Sequence, residues 1–553
     1  MIGLAVTPEV ALADEPVKIK VWGLPPQHLI TLRAWVKDEK ERIFQSQAFY
    51  KSDVEGKVDL DRTPATGGDL HGVCPMGLFW ALKPITPYLR LMKRDVMGSP
   101  FFVHLELYLD LTFNPRDDEI PLATKVVERW YVAPGVQRIQ LKQGRVRGAL
   151  FLPPGDGPFP GIIDMYGGDG GLIEFRSSLL ASRGFASLAL AYFAYDDLPS
   201  SLGKMELEYF EEAAKILLGN PKVIGDGVGV VAFSKGAEIA LALAAFLPQV
   251  KATVCINGPN IVTGFPLTYG DVYIPGIPYE TERILVSEIG AIQLLYNFAD
   301  PRKPEHEASL LPLEKAKGPI LLIVGEDDRS FDSKTYAKEA KARADRFGKK
   351  DVLVRSFPKA GHLLEPPGSP LCLVSHSPSL PFSLMWGGEL KAHCAAQEIF
   401  WREMQDFLRL HIVGHSRQSY LKIAGAECLE GRGPYRRNTW KEKAHGRQDS
   451  AARKRRTKSG ASRRPVQGVL AGAAAAASSL AVASPIRLSP LVPRSLSPVS
   501  YSSAFSAVAS QYSPTSPTAS PTSDPSNLPV FYGLPHISAD AADRAAIGNR
   551  RVF

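Results

Sequence analysis

The chain has 553 residues, a pI near 9.0 and a net charge of +8, but this charge is unevenly distributed. Residues 414–553 contain 20 Lys and Arg against 7 Asp and Glu, a net charge of +13, which leaves 45 basic and 50 acidic residues, a net charge of −5, in residues 1–413. Because the body of the chain is mildly acidic, the high pI does not indicate nucleic-acid binding.

The five cysteines are widely scattered and show no CxxC or Cys/His spacing. This pattern argues against a disulfide scaffold or a zinc site, and it is typical of a reducing compartment. The N-terminus, MIGLAVTPEVALADEPVK, has a short apolar start, no basic region and early acidic residues. It is therefore not expected to be a signal peptide.

The N-terminal region, residues 1–135, contains runs in which apolar and other side chains alternate. Val17, Ile19 and Val21 form one such run, and VHLELYL at residues 103–109 forms another. This period of two, with Gly- and Pro-rich turns between the runs, is typical of half-buried strands in a β-sandwich. No cluster of catalytic residue types occurs in this region, so we expect a structural or substrate-covering module.

Residues 140–412 have a different pattern, in which continuous apolar runs alternate with helical stretches. Apolar strands that alternate with helices predict a mostly parallel sheet covered by helices on both faces. The predicted strands are FPGIIDM, FASLALA, GVGVVAF, VKATVC, PILLIV and VLVRSF, and the predicted helices lie in LIEFRSSLLASR, MELEYFEEAAKILLG, KGAEIALALAAFL, DSKTYAKEAKARADRFG and AHCAAQEIFWREMQDFLRLH.

The tail, residues 413–553, is predicted to be disordered. A basic stretch is followed by Ala-rich sequence and by repeated Ser-Pro and Thr-Pro, with few residues that could form a core. The most apolar part, residues 468–484, is too short and too weakly apolar for a membrane span. We therefore expect no transmembrane segment.

Ser234 is the candidate nucleophile. It lies in the pentad AFSKG, between the predicted strand GVGVVAF and a predicted helix, as in the nucleophile elbow of α/β hydrolases. Ala232 stands where the first glycine of the elbow is expected, whereas Gly236 keeps the second. The same local pattern also fits a serine that caps a helix, so both interpretations are open at this point.

A carboxylate cluster and a histidine follow Ser234 in the order that the elbow requires. The cluster, Glu326, Asp327 and Asp328, comes directly after PILLIV, and His362 comes after VLVRSF. Both positions lie past the carboxyl ends of predicted strands, where catalytic groups collect in open α/β sheets. The order and the spacing predict a catalytic triad, with His393 as the second choice for the base.

Two backbone N–H groups are expected to form an oxyanion hole. The first belongs to Lys235, the residue after the nucleophile, and the second to Gly167 in the glycine-rich loop after GIIDM. Losing one such donor typically costs about 3 kcal/mol in the transition state. The glycine-rich loop does not have GxGxxG spacing, so no nucleotide cofactor is predicted.

Many ordered segments of residues 1–412 resemble the family of type I acyl-CoA thioesterases and bile acid-CoA:amino acid N-acyltransferase. These segments include DEPVKIKVWGL, PMGLFWALKP, KRDV, VRGALFLPPGDGPFPGIIDM, LAYFAYDDLP, SKG, LLIVGEDD, AGHLLEPP and WGGE. The resemblance implies an immunoglobulin-like β-sandwich packed on an α/β hydrolase domain. It also implies that Asp328 is the acid of the triad, with Ser234 and His362 as nucleophile and base.

The resemblance leaves two activities open, and the nucleophile distinguishes them. The amino acid transferase of the family uses cysteine, whose acyl-enzyme is a thioester and reacts readily with amines. An oxygen ester on Ser234 reacts less readily with amines, which favours water as the acceptor. We therefore predict an acyl-CoA thioesterase that releases a fatty acid and CoA. The alternatives are an acyl-CoA (bile acid-CoA):amino acid N-acyltransferase and a non-catalytic hydrolase-like scaffold.

The expected binding partner is the acyl-CoA substrate, and neither a metal nor another cofactor is predicted. Because no targeting sequence is recognisable, the expected location is the cytoplasm. The peroxisome is the alternative if the tail, residues 413–553, is not part of the natural protein.

Overall fold

The computed structural model describes residues 1–113, 119–377 and 380–413. All of these described residues fall in the same unit of the chain. The predicted boundaries near residues 135, 140 and 412 therefore stay predictions. Beyond Val413, the predicted disordered tail lies outside the described residues.

The described residues of the N-terminal region form ten strands and one short helix, α1 (Gly77–Trp80). The strands are β1 (Gly3–Thr7), β2 (Val10–Leu12), β3 (Lys18–Trp22), β4 (Leu29–Lys37), β5 (Ile43–Lys51), β6 (Val58–Asp59), β7 (Ala65–Gly68), β8 (Lys83–Pro84), β9 (Phe101–Leu109) and β10 (Ala123–Trp130). One sheet has the order β1-β3-β6, and the other has the order β2-β10-β9-β4-β5-β7, with β8 paired to β5. Buried residues of both sheets share one core, so the predicted sandwich is confirmed.

The alternation that predicts these strands is visible in their burial. In β3 the residues at 19 and 21 are buried and their neighbours are exposed. In β9, Val103, Leu105 and Leu107 are buried as expected, whereas Leu109 is exposed. Leu109 ends the strand, and Tyr108 is buried instead, its hydroxyl donating to Glu106 at 2.9 Å.

Fifteen further strands occur in the rest of the described chain. They are β11 (Gln137–Gln143), β12 (Val146–Leu152), β13 (Gly161–Met165), β14 (Ala186–Ala191), β15 (Met205–Glu206), β16 (Val228–Phe233), β17 (Val250–Ile256), β18 (Leu267–Tyr269), β19 (Val272–Ile274), β20 (Leu285–Val286), β21 (Ile292–Gln293), β22 (Ile320–Gly325), β23 (Val352–Phe357), β24 (Val374–His376) and β25 (Ser383–Met385). The accompanying helices are α2 (Phe175–Ser182), α3 (Leu207–Leu218), α4 (Lys235–Phe246), α5 (Ser333–Arg346) and α6 (Leu390–Ile412).

The central sheet has eight strands in the order β11-β12-β14-β13-β16-β17-β22-β23. The pairs from β14 to β23 are parallel, and β12 pairs antiparallel with both β11 and β14. All six strands predicted for residues 140–412 are present, so the mostly parallel sheet is confirmed. The hairpin of β11 and β12 was not predicted.

Helices cover both faces of this sheet. Buried residues of α2 and α6 share a core with the N-terminal sandwich, and those of α3, α4 and α5 form the core on the opposite face. Successive strand residues alternate between the two cores: Val231 faces the first, and Val230 and Ala232 face the second. The two edge strands are exceptions, because Ile139 of β11 and Leu353 and Val354 of β23 are exposed.

The chain between β17 and β22 contains the short strands β18 to β21 and the 3-10 turns Thr281–Arg283, Pro304–Ser309 and Leu313–Lys315. These strands belong to two small sheets, with the orders β15-β18-β19 and β20-β21-β25-β24, which also include strands from other parts of the chain. Over the ranges that the structure describes, no helix combines the length and the hydropathy needed to cross a bilayer.

Asp14 joins the N-terminal region to one face of the central sheet. Its carboxylate, whose side chain is 1% exposed, accepts hydrogen bonds from Arg183 at 2.9 and 2.6 Å. It also accepts one from the indole N–H of Trp401 in α6 at 2.8 Å. A buried carboxylate is stable only when such donors compensate for its lost hydration.

We expect Asp14→Ala to lower the free energy of unfolding by about 3 kcal/mol, because the donors of Arg183 and Trp401 lose their acceptor. Urea denaturation measures this change. The matched control is Glu55→Ala, which removes an ion pair with Lys57 whose side chains are 58% and 64% exposed. Exposed pairs contribute about 0–1 kcal/mol. Equal effects of the two substitutions would contradict the interpretation of Asp14.

Candidate active site

Ser234 lies in a strained turn between β16 and α4. Its φ is 57° and its ψ is −128°, a combination that costs a non-glycine residue about 1–3 kcal/mol. The Ser234 N–H donates to the carbonyl of Ile256 at 2.8 Å. Although Ser234 occupies the N-cap position of α4, its hydroxyl makes no capping hydrogen bond. The helix-cap interpretation is therefore wrong.

Small residues surround the elbow because the main chains pass close to each other. A Cβ atom at Gly236 would lie 2.5 Å from the carbonyl oxygen of Tyr166, so only glycine fits there. Ala232, in contrast, is fully buried at the end of β16, and its methyl group belongs to the core packed with α3, α4 and α5. The departure from the expected glycine is thus accommodated by the fold.

The structure brings Ser234, His362 and Asp328 together. The Nε2 atom of His362 lies 3.0 Å from the Oγ atom of Ser234, and its Nδ1 atom lies 2.9 Å from an Oδ atom of Asp328. All three residues are buried. This is the geometry in which a histidine can take a proton from the serine while the carboxylate orients the ring.

Asp328 is held by donors other than His362. One carboxylate oxygen accepts the N–H groups of Ser330 at 2.8 Å and Phe331 at 3.0 Å, and the other accepts the hydroxyl of Ser333 at 2.6 Å. Asp328 is therefore fixed as an acceptor that faces the imidazole.

The other two acids of the cluster point elsewhere. Asp327 pairs with Arg329 and accepts the N–H of Gly388 at 2.7 Å. Glu326 accepts from Lys334 at 2.7 Å and from Ser356 at 2.6 Å. Within the described residues, Asp328 alone of the three contacts His362.

Aromatic rings surround the imidazole of His362. Its centroid lies 4.8 Å from that of Phe233, 6.0 Å from that of Phe331 and 5.5 Å from that of Trp386, which stacks on it with an interplanar angle of 13°. Rings at these distances exclude water and restrict ring rotation. The imidazole therefore has a fixed position with respect to Ser234.

His393, the second choice for the base, supports the loop of His362 instead. Its Nδ1 atom accepts the N–H of Gly361 at 3.0 Å, and its Nε2 atom donates to the carbonyl of Leu363 at 3.0 Å. Burial lowers the pKa of His393 to about 4. Neither ring nitrogen is directed at Ser234, so the structure does not unite His393 with the nucleophile.

Gly167 lies against the nucleophile, as expected for an oxyanion loop. A Cβ atom at Gly167 would be 2.7 Å from the Cβ atom and 3.1 Å from the Oγ atom of Ser234. The preceding carbonyl, that of Tyr166, and the carbonyl of Gly167 accept the hydroxyl of Tyr192 at 2.8 and 3.1 Å. This hydroxyl fixes the loop close to Ser234.

Lys235 begins α4 next to the nucleophile, and its side chain is buried. The ammonium group pairs with Glu238 and donates to the carbonyl and hydroxyl oxygens of Thr263 at 2.6 and 3.1 Å. Burial raises the pKa of Glu238, and Lys235 opposes this shift. The side chain thus stabilises the start of α4, whereas the sequence predicted a role only for its main chain.

A buried network of three side chains near the triad was not predicted. Arg90, from the N-terminal region, donates to Glu365 and to the hydroxyl of Tyr166, and that hydroxyl donates to Glu365 at 2.6 Å. Tyr166 precedes Gly167, and Glu365 follows His362 by three residues. This network connects the loop of Gly167, the loop of His362 and the N-terminal region. No local pattern marks it, because its members are distant in sequence.

No metal-binding cluster accompanies these residues. Among the residues that the structure describes, no group of three or more His, Cys, Asp and Glu side chains is arranged to hold an ion.

The parallel sheet and its helices make this chain an α/β hydrolase by fold. The family models "Acyl-CoA thioester hydrolase/BAAT N-terminal region" and "BAAT / Acyl-CoA thioester hydrolase C terminal" match residues 14–143 and 205–414. The chain belongs to the acyl-CoA thioester hydrolase/BAAT family. The resemblance inferred from its sequence segments is thereby confirmed.

The relatives of this chain include proteins of two kinds. Acyl-coenzyme A amino acid N-acyltransferase 2 of Mus musculus is 53% identical, with 75% of this chain and 98% of that protein covered. Bile acid-CoA:amino acid N-acyltransferase of Homo sapiens is 50% identical, with coverages of 75% and 98%. Acyl-coenzyme A thioesterase 1 of Homo sapiens is 43% identical, with coverages of 73% and 94%.

We expect Gly167→Ala to reduce turnover by about 100-fold, because the new methyl group would overlap Ser234 and displace its hydroxyl. Steady-state kinetics with an acyl-CoA substrate measure the effect. The matched control is Gly168→Ala, since no atom lies within 4 Å of a Cβ atom at that position. Turnover in Gly167→Ala equal to that of the control would contradict this placement of the loop.

Proposed function

We propose that this enzyme transfers the acyl group of an acyl-CoA to Ser234, releases CoA, and then passes the acyl group to an acceptor. The observation that carries this proposal is the contact of His362 with Ser234 at 3.0 Å and with Asp328 at 2.9 Å, at the elbow of an acyl-CoA thioester hydrolase/BAAT chain. The non-catalytic scaffold is disfavoured, because an inert fold does not require this strained and buried arrangement.

In the first step, the Ser234 hydroxyl attacks the thioester carbonyl while His362 takes its proton. A bond forms between the serine oxygen and the acyl carbon, and the bond from that carbon to sulfur breaks. The proton on His362 passes to the sulfur of the leaving CoA. Main-chain N–H groups of Gly167 and Lys235 are proposed to stabilise the tetrahedral oxyanion.

In the second step, His362 takes a proton from the acceptor as the acceptor attacks the acyl carbon. The bond to Ser234 breaks, and the serine oxygen recovers the proton from His362. With water as the acceptor, the product is a free fatty acid, and the enzyme is an acyl-CoA thioesterase. The serine nucleophile favours this acceptor, because its oxygen ester reacts less readily with amines than a thioester does.

An amino acid is the second candidate acceptor, and the product is then an amide. The sequence identities favour it, since they are 50–53% with relatives named N-acyltransferases and 43–44% with relatives named thioesterases. The same acyl-enzyme serves both reactions. Glycine and taurine are therefore the acceptors to include from the first assay onwards, with a fatty acyl-CoA as donor.

We expect Ser234→Ala to reduce CoA release by at least about 1,000-fold, because no acyl-enzyme can form. A thiol reagent measures free CoA, and mass spectrometry of the wild-type protein should find the acyl group on the peptide that contains Ser234. Ser201→Ala is the control, since Ser201 is exposed and distant in sequence from the site. Unchanged CoA release in Ser234→Ala would contradict the proposal.

We expect Ser234→Cys to raise the ratio of amide to free acid when glycine or taurine is present, because its acyl-enzyme is a thioester. Mass spectrometry of both products measures the ratio, and the wild-type enzyme under the same conditions is the reference. A dominant amide product in the wild type would identify the enzyme as an N-acyltransferase. A ratio that does not rise in the variant would contradict the argument from the nucleophile.

The cytoplasm is the proposed location, with the peroxisome as the alternative. Both depend on the tail, which lies outside the described residues. Mass spectrometry of C-terminal peptides from the endogenous protein would show whether the tail belongs to it, which is the condition that separates the two proposals.

A further inference from the structure

We infer that Asn257 is a positioning residue that aligns His362 with Ser234 and Asp328, an inference that rests on the proposed function. Asn257 follows β17 directly and is 1% exposed. The main chain at this point lies between the three loops that carry the triad. The hydrogen bonds of Asn257 and of the preceding residue, Ile256, connect all three loops.

The side-chain amide of Asn257 binds two of these loops. Its N–H₂ group donates to the carbonyl of Gly361 at 3.1 Å and to that of His362 at 2.7 Å. Its carbonyl oxygen accepts the N–H of Gly325 at 2.7 Å, at the point where β22 leads into the loop of Asp328. The planar amide of Asn257 therefore fixes the main chain at Gly325, before the loop of Asp328, and at Gly361 and His362.

The main chain of the same segment reaches the nucleophile. The carbonyl of Ile256 accepts the N–H of Ser234 at 2.8 Å, and the N–H of Asn257 donates to Ile323 at 2.9 Å. Displacing Asn257 thus changes the distances among all three members of the triad. A displacement of about 1 Å is enough to cost about 100-fold in rate.

Asparagine suits this position for two physical reasons. Its φ is 47°, in the left-handed region that asparagine tolerates better than most residues. Its amide also presents two donors and an acceptor together. Leucine offers neither, and ionised aspartate directs a negative oxygen at the carbonyl groups of Gly361 and His362.

His393 holds the same segment from the other side. Gly361 donates its N–H to His393, and the carbonyl of Leu363 accepts from His393, both at 3.0 Å. The N–H of His362 donates to the carbonyl of Trp386 at 2.8 Å. The main chain of residues 361–363 is therefore held on both sides, and the side chain of Asn257 also binds Gly325 at the start of the loop of Asp328.

The test is the rate at which a fluorophosphonate probe labels Ser234, measured for the wild type and Asn257→Asp between about pH 5 and pH 9. This probe reports an activated serine without using acyl-CoA. Burial and the facing carbonyls raise the pKa of the introduced carboxyl group above its usual value near 3.9. The carboxyl group is neutral at low pH, when it can still donate, and charged at high pH.

We expect the ratio of the variant rate to the wild-type rate to fall as the pH rises, reaching a loss of about 100-fold at the alkaline end. The matched control is Asn260→Asp. Asn260 lies in the same segment and is also buried, and its side-chain oxygen has no partner among the described residues. For Asn260→Asp, the ratio of the variant rate to the wild-type rate should not fall as the pH rises.

Two results would overturn the inference. One is a folded Asn257→Asp protein that labels within about threefold of the wild type throughout. The other is a uniform loss with the wild-type pH profile, which is what a general packing defect predicts. Thermal unfolding checks folding. If this variant does not fold, a folded Asn257→Gly protein decides, because glycine tolerates the φ of 47° and lacks the amide: slowed labelling supports the inference, and labelling within about threefold of the wild type overturns it.

The outcomes also separate this inference from the proposed function. A wild-type protein that labels at Ser234 but cleaves no acyl-CoA contradicts the function and leaves the positioning role of Asn257 testable. A wild-type protein that does not label overturns both, because Ser234 is then not activated.

Discussion

The strained main chain of Ser234 is the constraint on which the site depends. A positive φ at a residue with a side chain is unfavourable by itself, so the neighbouring structure has to compensate for it. Close approach of Gly236 to the carbonyl of Tyr166 and the hydrogen bond to Ile256 supply this compensation. They also place the hydroxyl beside the oxyanion loop, where the imidazole of His362 can reach it.

Buried polar groups surround this turn, and most of them bind main chain. Asn257 and His393 hold the loop of His362, Tyr192 holds the loop of Gly167, and Lys235 with Glu238 holds Thr263. Side chains that satisfy buried main-chain groups make loops rigid, since each broken bond leaves an unpaired polar atom. The loops around Ser234 thus acquire the rigidity usually found in strands and helices.

The sequence predicted the parts of the protein that are encoded locally. Apolar runs predicted the central strands, and the positions past strand ends brought Ser234, Asp328 and His362 to one edge of the sheet. Exposure of Leu353 in β23 was not predicted, because an apolar run does not reveal which strand forms the edge. Contacts such as Arg90 with Glu365, 275 residues apart, have no periodic signal. The short strands between β17 and β22 have too few residues for a periodic pattern to be recognised.

The ion pair of Arg90 and Glu365 connects the N-terminal region to the loop that follows His362. If Arg90 were replaced, Glu365, whose side chain is 7% exposed and which lies three residues from the proposed base, would lose its arginine, and an uncompensated buried charge is costly. The site in the α/β region therefore contacts a charge that the N-terminal region supplies. In evolutionary terms, Arg90 and Glu365 are expected to change together, because loss of either would leave the other as an uncompensated buried charge.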